Sequence, residues 1–203
     1  MDATSPVDRN KLRREMRTRR RAVSVADQRR AAESIARILD QQRWLRPGRR
    51  VAAYLSHGHE ADLAETLELV RRRHCRLFLP VVTQVRRGRM EFLSFDATTP
   101  LRCGAFGIRE PDPHHANRIQ VRELDLILVP LVAVDPHGTR LGNGAGFYDR
   151  RLRHLRGDRR WRRPRLIGIA YEFQRVEHLP AQPWDVPLDA VITERRCYPS
   201  LRP

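Results

Sequence analysis

Lysine is almost missing from this 203-residue chain: Lys11 is the only one, and the other 39 of the 40 basic residues are arginine. Against 24 acidic residues they leave a formal net charge of +16. The swap runs through the whole chain, which marks a coding bias more than a local binding device. Such a charge would ordinarily point to nucleic acid. Yet no strip of alternating basic and aromatic residues occurs, and arginine falls on nearly every predicted surface. No specific nucleic-acid partner is therefore expected, only salt-sensitive adhesion to polyanions. Cysteine is scarce too. Cys75, Cys103 and Cys197 are scattered without CxxC spacing, so neither a disulfide framework nor a zinc site is supported. Reduced thiols in a cytoplasmic protein account for them most simply. Nothing approaches an 18-residue apolar run, and the N-terminus lacks the apolar core of a signal peptide, so no membrane partner is expected.

What the chain does hold is alternation. A basic helix is predicted over residues 8–22, with Leu12 and Met16 on one side and Arg9, Arg13 and Arg17 at i, i+4 spacing on another. Ser24-x-x-Asp27 has the form of a capping box, followed by a core stripe of Ala32, Ile35, Ala36 and Leu39. Buried strands are read at 51–55, 77–82 (ending at Pro80), 126–129, 166–171 and 190–193, with an alternating hairpin arm at 90–95. A helix at 62–73 places Leu63, Leu67 and Val70 inward, and an arginine-rich helix end is read over 150–163. Together these predict one α/β domain over residues 1–203: three α/β/α layers around a mainly parallel, Rossmann-like sheet. Ligands in such sheets sit beyond the carboxyl ends of strands.

The most informative stretch is 125–152, a strand, a loop with Gly138, Gly142, Gly144 and Gly146, and then a helix from Phe147. Bare backbone N–H groups near the positive end of a helix are a common phosphate cradle. No lysine follows the glycines, so this is not a Walker A loop, and Phe147 stands where a dinucleotide fingerprint needs its third glycine. A turn that merely joins strand to helix is the plainer alternative. The neighbours favour phosphate: Arg140 can neutralise its oxygens, Tyr148 can stack or donate, and Asp149 can hold a magnesium ion. His57-x-His59-Glu60 has two histidines and a carboxylate but no evident further ligand for a metal.

The run from Pro130 to Asp149 resembles the signature of the 5-formyltetrahydrofolate cyclo-ligase family, and the resemblance extends along almost the whole chain. It implies ATP-dependent closure of 5-formyltetrahydrofolate to 5,10-methenyltetrahydrofolate, with Mg²⁺ as cofactor and reduced folate and ATP as small-molecule partners of a monomer. It implies that ATP meets Arg9, Lys11 and Arg13 and the loop Arg140, Leu141, Gly142, Asn143, Gly144, Ala145, Gly146, Phe147 and Tyr148. Arg140 and Tyr148 are the expected catalytic residues. Folate is expected against Leu55, Glu60, Phe106 and residues 143–147, and the metal on Asp149 and Asp189, the latter preferred over Asp185. The sequence departs from the family at Asn143 and Ala145, where members variously carry Tyr or Arg and Gly or Lys, and Phe147 lacks a tyrosine hydroxyl. A basic RNA-binding protein on a related scaffold, or a ligase of another formyl or carboxyl compound, are the competing readings.

Overall fold

The computed structural model describes residues 8–155 and 164–201. The chain begins with α1 (Arg9–Arg21), capped by Asp8, whose Oδ1 accepts the N–H groups of Asn10 and Lys11 at 2.8 and 3.1 Å. Three arginines in its last turn face the negative end of the helix dipole. The Ser24 hydroxyl oxygen accepts the Asp27 N–H at 3.1 Å and opens α2 (Val25–Gln41), where the expected stripe of Ala32, Ile35, Ala36 and Leu39 is buried.

Next come β1 (Arg50–Ala52), α3 (Ala64–Arg72), β2 (Arg76–Gln84) and β3 (Arg89–Ser94). A small hairpin, β4 (Leu101–Cys103) and β5 (Arg109–Pro111), stands apart, and β6 (Arg118–Ile119) rejoins the sheet. Then follow β7 (Leu126–Pro130), the short hairpin β8 (Ala133–Val134) and β9 (Arg140–Leu141), and α4 (Phe147–Leu152). The last strands are β10 (Arg165–Ile169), β11 (Ala190–Ile192) and β12 (Cys197–Pro199).

Eight strands form one sheet in the order β12-β11-β10-β7-β1-β2-β3-β6. The five from β11 to β2 are parallel, and β12, β3 and β6 join antiparallel at the two sides. β7 shows why an unbroken apolar run belongs at the centre. Leu126 and Leu128 enter the core under α2 and α3, whereas Ile127 and Val129 enter the core on the opposite face. That second face is covered by α4 and by connecting segments carrying Val121, Leu124, Val186 and Leu188, so its helical layer is thin.

Two expectations are corrected. β2 does not end at Pro80 but runs to Gln84. The Phe78 carbonyl points towards β1, accepting the Ala53 N–H, and Pro80 shares that orientation two residues on. β1 has ended by then, so the N–H that proline lacks costs no ladder bond. The helix end expected over 150–163 is a short α4 followed by a 3-10 turn at Arg153–Leu155, and residues 156–163 lie outside the described residues.

Candidate functional site

From β1 the chain moves to β2 on one side, and from β7 to β10 on the other, so the order reverses between β1 and β7. At the carboxyl ends of these strands opens a cavity of about 720 Å³. Its walls are the segment after β1 (Tyr54, Leu55, His57 to Glu60), Pro80 and Val82 of β2, Phe106 and Ile108 to Glu110, and Pro130. The glycine loop closes it with Gly142, Asn143 and Ala145 to Asp149, and α1 adds Arg17, Arg20 and Arg21.

The loop leaves its donors unused. Gly144 and Gly146 take φ values of +109° and +65°, a left-handed region where side chains strain the backbone. The loop carbonyls turn to arginines: Arg13 Nε donates to Gly142 O at 3.0 Å, Arg17 Nη2 to Asn143 O at 3.1 Å, and Arg150 Nη2 to Ala145 O. Among the described residues, no N–H of Gly142 to Gly146 makes a hydrogen bond. α4 is only six residues long, so these N–H groups and the arginines, more than a helix dipole, make the loop receptive to an anion.

Arg140 lies beneath the loop, not at its surface. Its side chain is 3% exposed and forms an ion pair with Asp149 at 2.5 Å, while Nη1 donates to the Val186 carbonyl. Burial pulls its pKa down, and Asp149 and Asp185 oppose that. Asp149 Oδ1 also accepts the Val186 N–H at 3.4 Å, and Asp185 lies 3.7 Å from Arg9. Asp189, expected as a metal ligand ahead of Asp185, does not reach the cavity. Asp189 Oδ2 accepts the Leu166 N–H at 2.7 Å, and Leu166 is in register with Ile127, three residues before the Pro130 end of β7. Asp189 therefore stands at the amino end of its strand, roughly 10 Å of strand away from the cavity rim. The sequence offered Trp184-Asp-Val-Pro-Leu-Asp189 with two aspartates, and only the path of 185–188 past Arg140 separates them.

On the other wall, Glu60 Oε2 accepts the His57 N–H at 3.3 Å and Oε1 accepts Asn143 Nδ2 at 3.2 Å. Burial raises its pKa; the His57 N–H and the positive charge of Arg20 pull the other way. The Tyr148 hydroxyl is buried without a hydrogen-bond partner, and burial with the nearby Glu60 raises its pKa, so it stays protonated. Leu55 lines the cavity; Phe106 is exposed at the tip of the β4–β5 hairpin and meets Phe147 edge-on at 6.0 Å. Leu141 is fully buried under Met16 of α1, so only its backbone can reach a ligand.

Of the three basic residues expected from α1, Arg9 reaches Pro180 O and Asp185, and Arg13 reaches the loop. Lys11 is exposed and, two residues from each, points about 200° around the helix from them. The face instead continues through Arg17 to Arg20, which is 4% exposed, donates to Gly58 O at 3.2 Å, and has Nε and Nη1 without partners. The spacing 9, 13, 17, 20 was the available signal for it. Glu110 was also missed: 3% exposed, it accepts the Val82 N–H at 3.1 Å on Oε1, with Oε2 unpartnered. Arg150, on the solvated face of a short helix, had no signal at all.

Fold and site together define a mixed-sheet α/β protein with an anion-receptive glycine loop and an acidic, partly apolar wall in one crevice. A family model described as the 5-formyltetrahydrofolate cyclo-ligase family matches residues 6–194, and the chain belongs to that family. It is 33% identical over 186 residues to the 5-formyltetrahydrofolate cyclo-ligase of Haemophilus influenzae, covering 89% of this chain and 94% of that one. The enzyme of that name from Mycolicibacterium smegmatis is 33% identical over 200 residues, covering 98% and 100%. Among solved structures, the 5,10-methenyltetrahydrofolate synthetase of Aquifex aeolicus superposes with a TM-score of 0.80 at 30% identity, covering 96% of this chain and 94% of that one. Among the described residues no helix is long and apolar enough to cross a membrane.

Proposed function

We propose that this protein closes 5-formyltetrahydrofolate to 5,10-methenyltetrahydrofolate using ATP, releasing ADP and phosphate. The observation that carries the proposal is the shared crevice: a loop of unpaired N–H groups faces a carboxylate, Glu60, across Asn143. A nucleotide and a folate bound there would meet at the loop.

A formamide carbonyl is a poor electrophile and its oxygen a poor leaving group. The formyl oxygen attacks the γ-phosphorus, ADP departs, and an N5-iminium phosphate forms. N10 then adds to the formyl carbon, and the carbon–oxygen bond breaks to release phosphate. The protein's part is positioning and charge stabilisation. Loop N–H groups from 142 to 148 hold the phosphates, and Arg13 and Arg17 fix the loop by its carbonyls. Arg140 acts from below, holding Asp149 in place, and Tyr148 supplies a protonated hydroxyl at the meeting point. Glu60 receives pterin N–H groups, and Leu55, Phe106 and Phe147 give apolar contact.

Mg²⁺ fits this donor set. Asp149 keeps Oδ2 for a cation, and Asp185 is the second carboxylate acting on Arg140. No cluster of three or more His, Cys, Asp or Glu suited to a metal exists among the described residues, which agrees with an ion that takes its other ligands from phosphate and water. Bound there, it would neutralise charge on the transferring phosphoryl group.

The test is purified protein with 5-formyltetrahydrofolate and Mg-ATP, following methenyl absorbance and ADP together. Equal yields of both are expected. ATP binding without methenyl formation would favour a ligase of another substrate, and tight RNA binding at physiological salt without ATP dependence would favour the nucleic-acid reading.

A further inference from the structure

Arg20 has no part in the chemistry above, yet it is a charged side chain buried in the wall of the reaction cavity with two donors unused. Such a group calls for an acceptor, because an unpaired buried donor is costly. Its remaining nitrogen, Nη2, is fixed on the carbonyl of Gly58 at 3.2 Å, two residues before Glu60. The same segment therefore holds a cation with vacant donors beside a carboxylate, and Glu60 feels that charge. No salt bridge joins the two, so neither exhausts the other. Glu60 Oε1 and Oε2 each hold one hydrogen bond and can accept a second.

Acceptor and donor side by side complement one particular heterocycle edge. A 4-oxo pterin presents N–H groups at positions 2 and 3 and, adjoining them, a carbonyl oxygen at position 4. We infer that Arg20 is a specificity residue that donates to the 4-oxo oxygen of the pterin while Glu60 accepts from the neighbouring N–H groups. This rests on the folate reading above and adds to it a residue that reads the lactam edge. α1 then serves both halves of the crevice, Arg13 and Arg17 on the loop and Arg20 on the pterin.

The experiment compares binding of 5-formyltetrahydrofolate with that of its 2,4-diamino analogue, in which the acceptor at position 4 becomes a donor. The wild-type protein should favour the 4-oxo ligand. In Arg20→Met that preference should fall by about tenfold, because one charge-assisted hydrogen bond is lost and one mismatched donor pair is relieved. Arg20→Lys, which keeps a donor, should fall between the two and serves if Arg20→Met does not fold. A preference unchanged in either folded variant, or none in the wild type, overturns the inference. The folate reading itself fails differently, through absent turnover in the wild type.

Discussion

Arg140 and Asp149 form a pair with unequal access to water: side-chain exposure is 3% for the arginine and 24% for the aspartate. Removing the aspartate strands a buried cation, while removing the arginine leaves a carboxylate that can still turn to solvent. Asp149→Ala should therefore lower unfolding free energy by about 3 kcal/mol, and Arg140→Met by clearly less, both read from denaturant titrations. Either change should also lower kcat/KM by about 10²-fold, since the Asp149 carboxylate is removed in one and loses its Arg140 anchor in the other. Glu110 gives a pH signature. Burial raises its pKa, so the native state binds its proton more tightly than the unfolded chain does. Its contribution to stability is full below the unfolded value, near 4.3, and is lost as pH rises through the higher folded value. Glu110→Gln keeps the acceptor for Val82 without the charge. At pH 7 it should melt at or above the wild type, and the gap should shrink as the pH falls towards 4.5. A gap that widens on acidification would contradict the assignment.

At the scale of elements, α1 is the bracket of the site, touching the glycine loop at Gly142 and Asn143 and the 57–60 segment at Gly58. Combined Arg13→Ala and Arg17→Ala should weaken nucleotide binding by about tenfold in calorimetry while leaving the helix content unchanged. Lys11→Ala, on the outer face, should bind nucleotide as the wild type does. Elements with strong local signals were legible in the sequence: α1 by its spacing, α2 by its cap and core stripe, β7 by its unbroken apolar run, and the crevice by the glycines. Strands of two or three residues were not. β8 and β9 lie inside the glycine-rich stretch, and β12 pairs only because β11 is beside it. Pro80 misled because the harm a proline does depends on which neighbour its missing N–H would have met. The choice between Asp185 and Asp189 depended on the path of four residues, which no periodicity encodes.

For the whole molecule, the net charge of +16 makes long-range attraction of anionic substrates inseparable from the site. KM for both substrates should rise with added salt between about 50 and 300 mM, because screening then acts within roughly 6–14 Å. A KM indifferent to salt would confine recognition to buried contacts. The central claim is that the triphosphate lies on the N–H groups of residues 142–148, with its cation against Asp149, in the crevice that also admits folate. A crystal structure with Mg²⁺ and a non-hydrolysable ATP analogue tests it most directly. The account predicts phosphate oxygens within hydrogen-bonding distance of those N–H groups and the metal on Asp149 Oδ2; a triphosphate bound elsewhere, with the loop facing solvent, would contradict it.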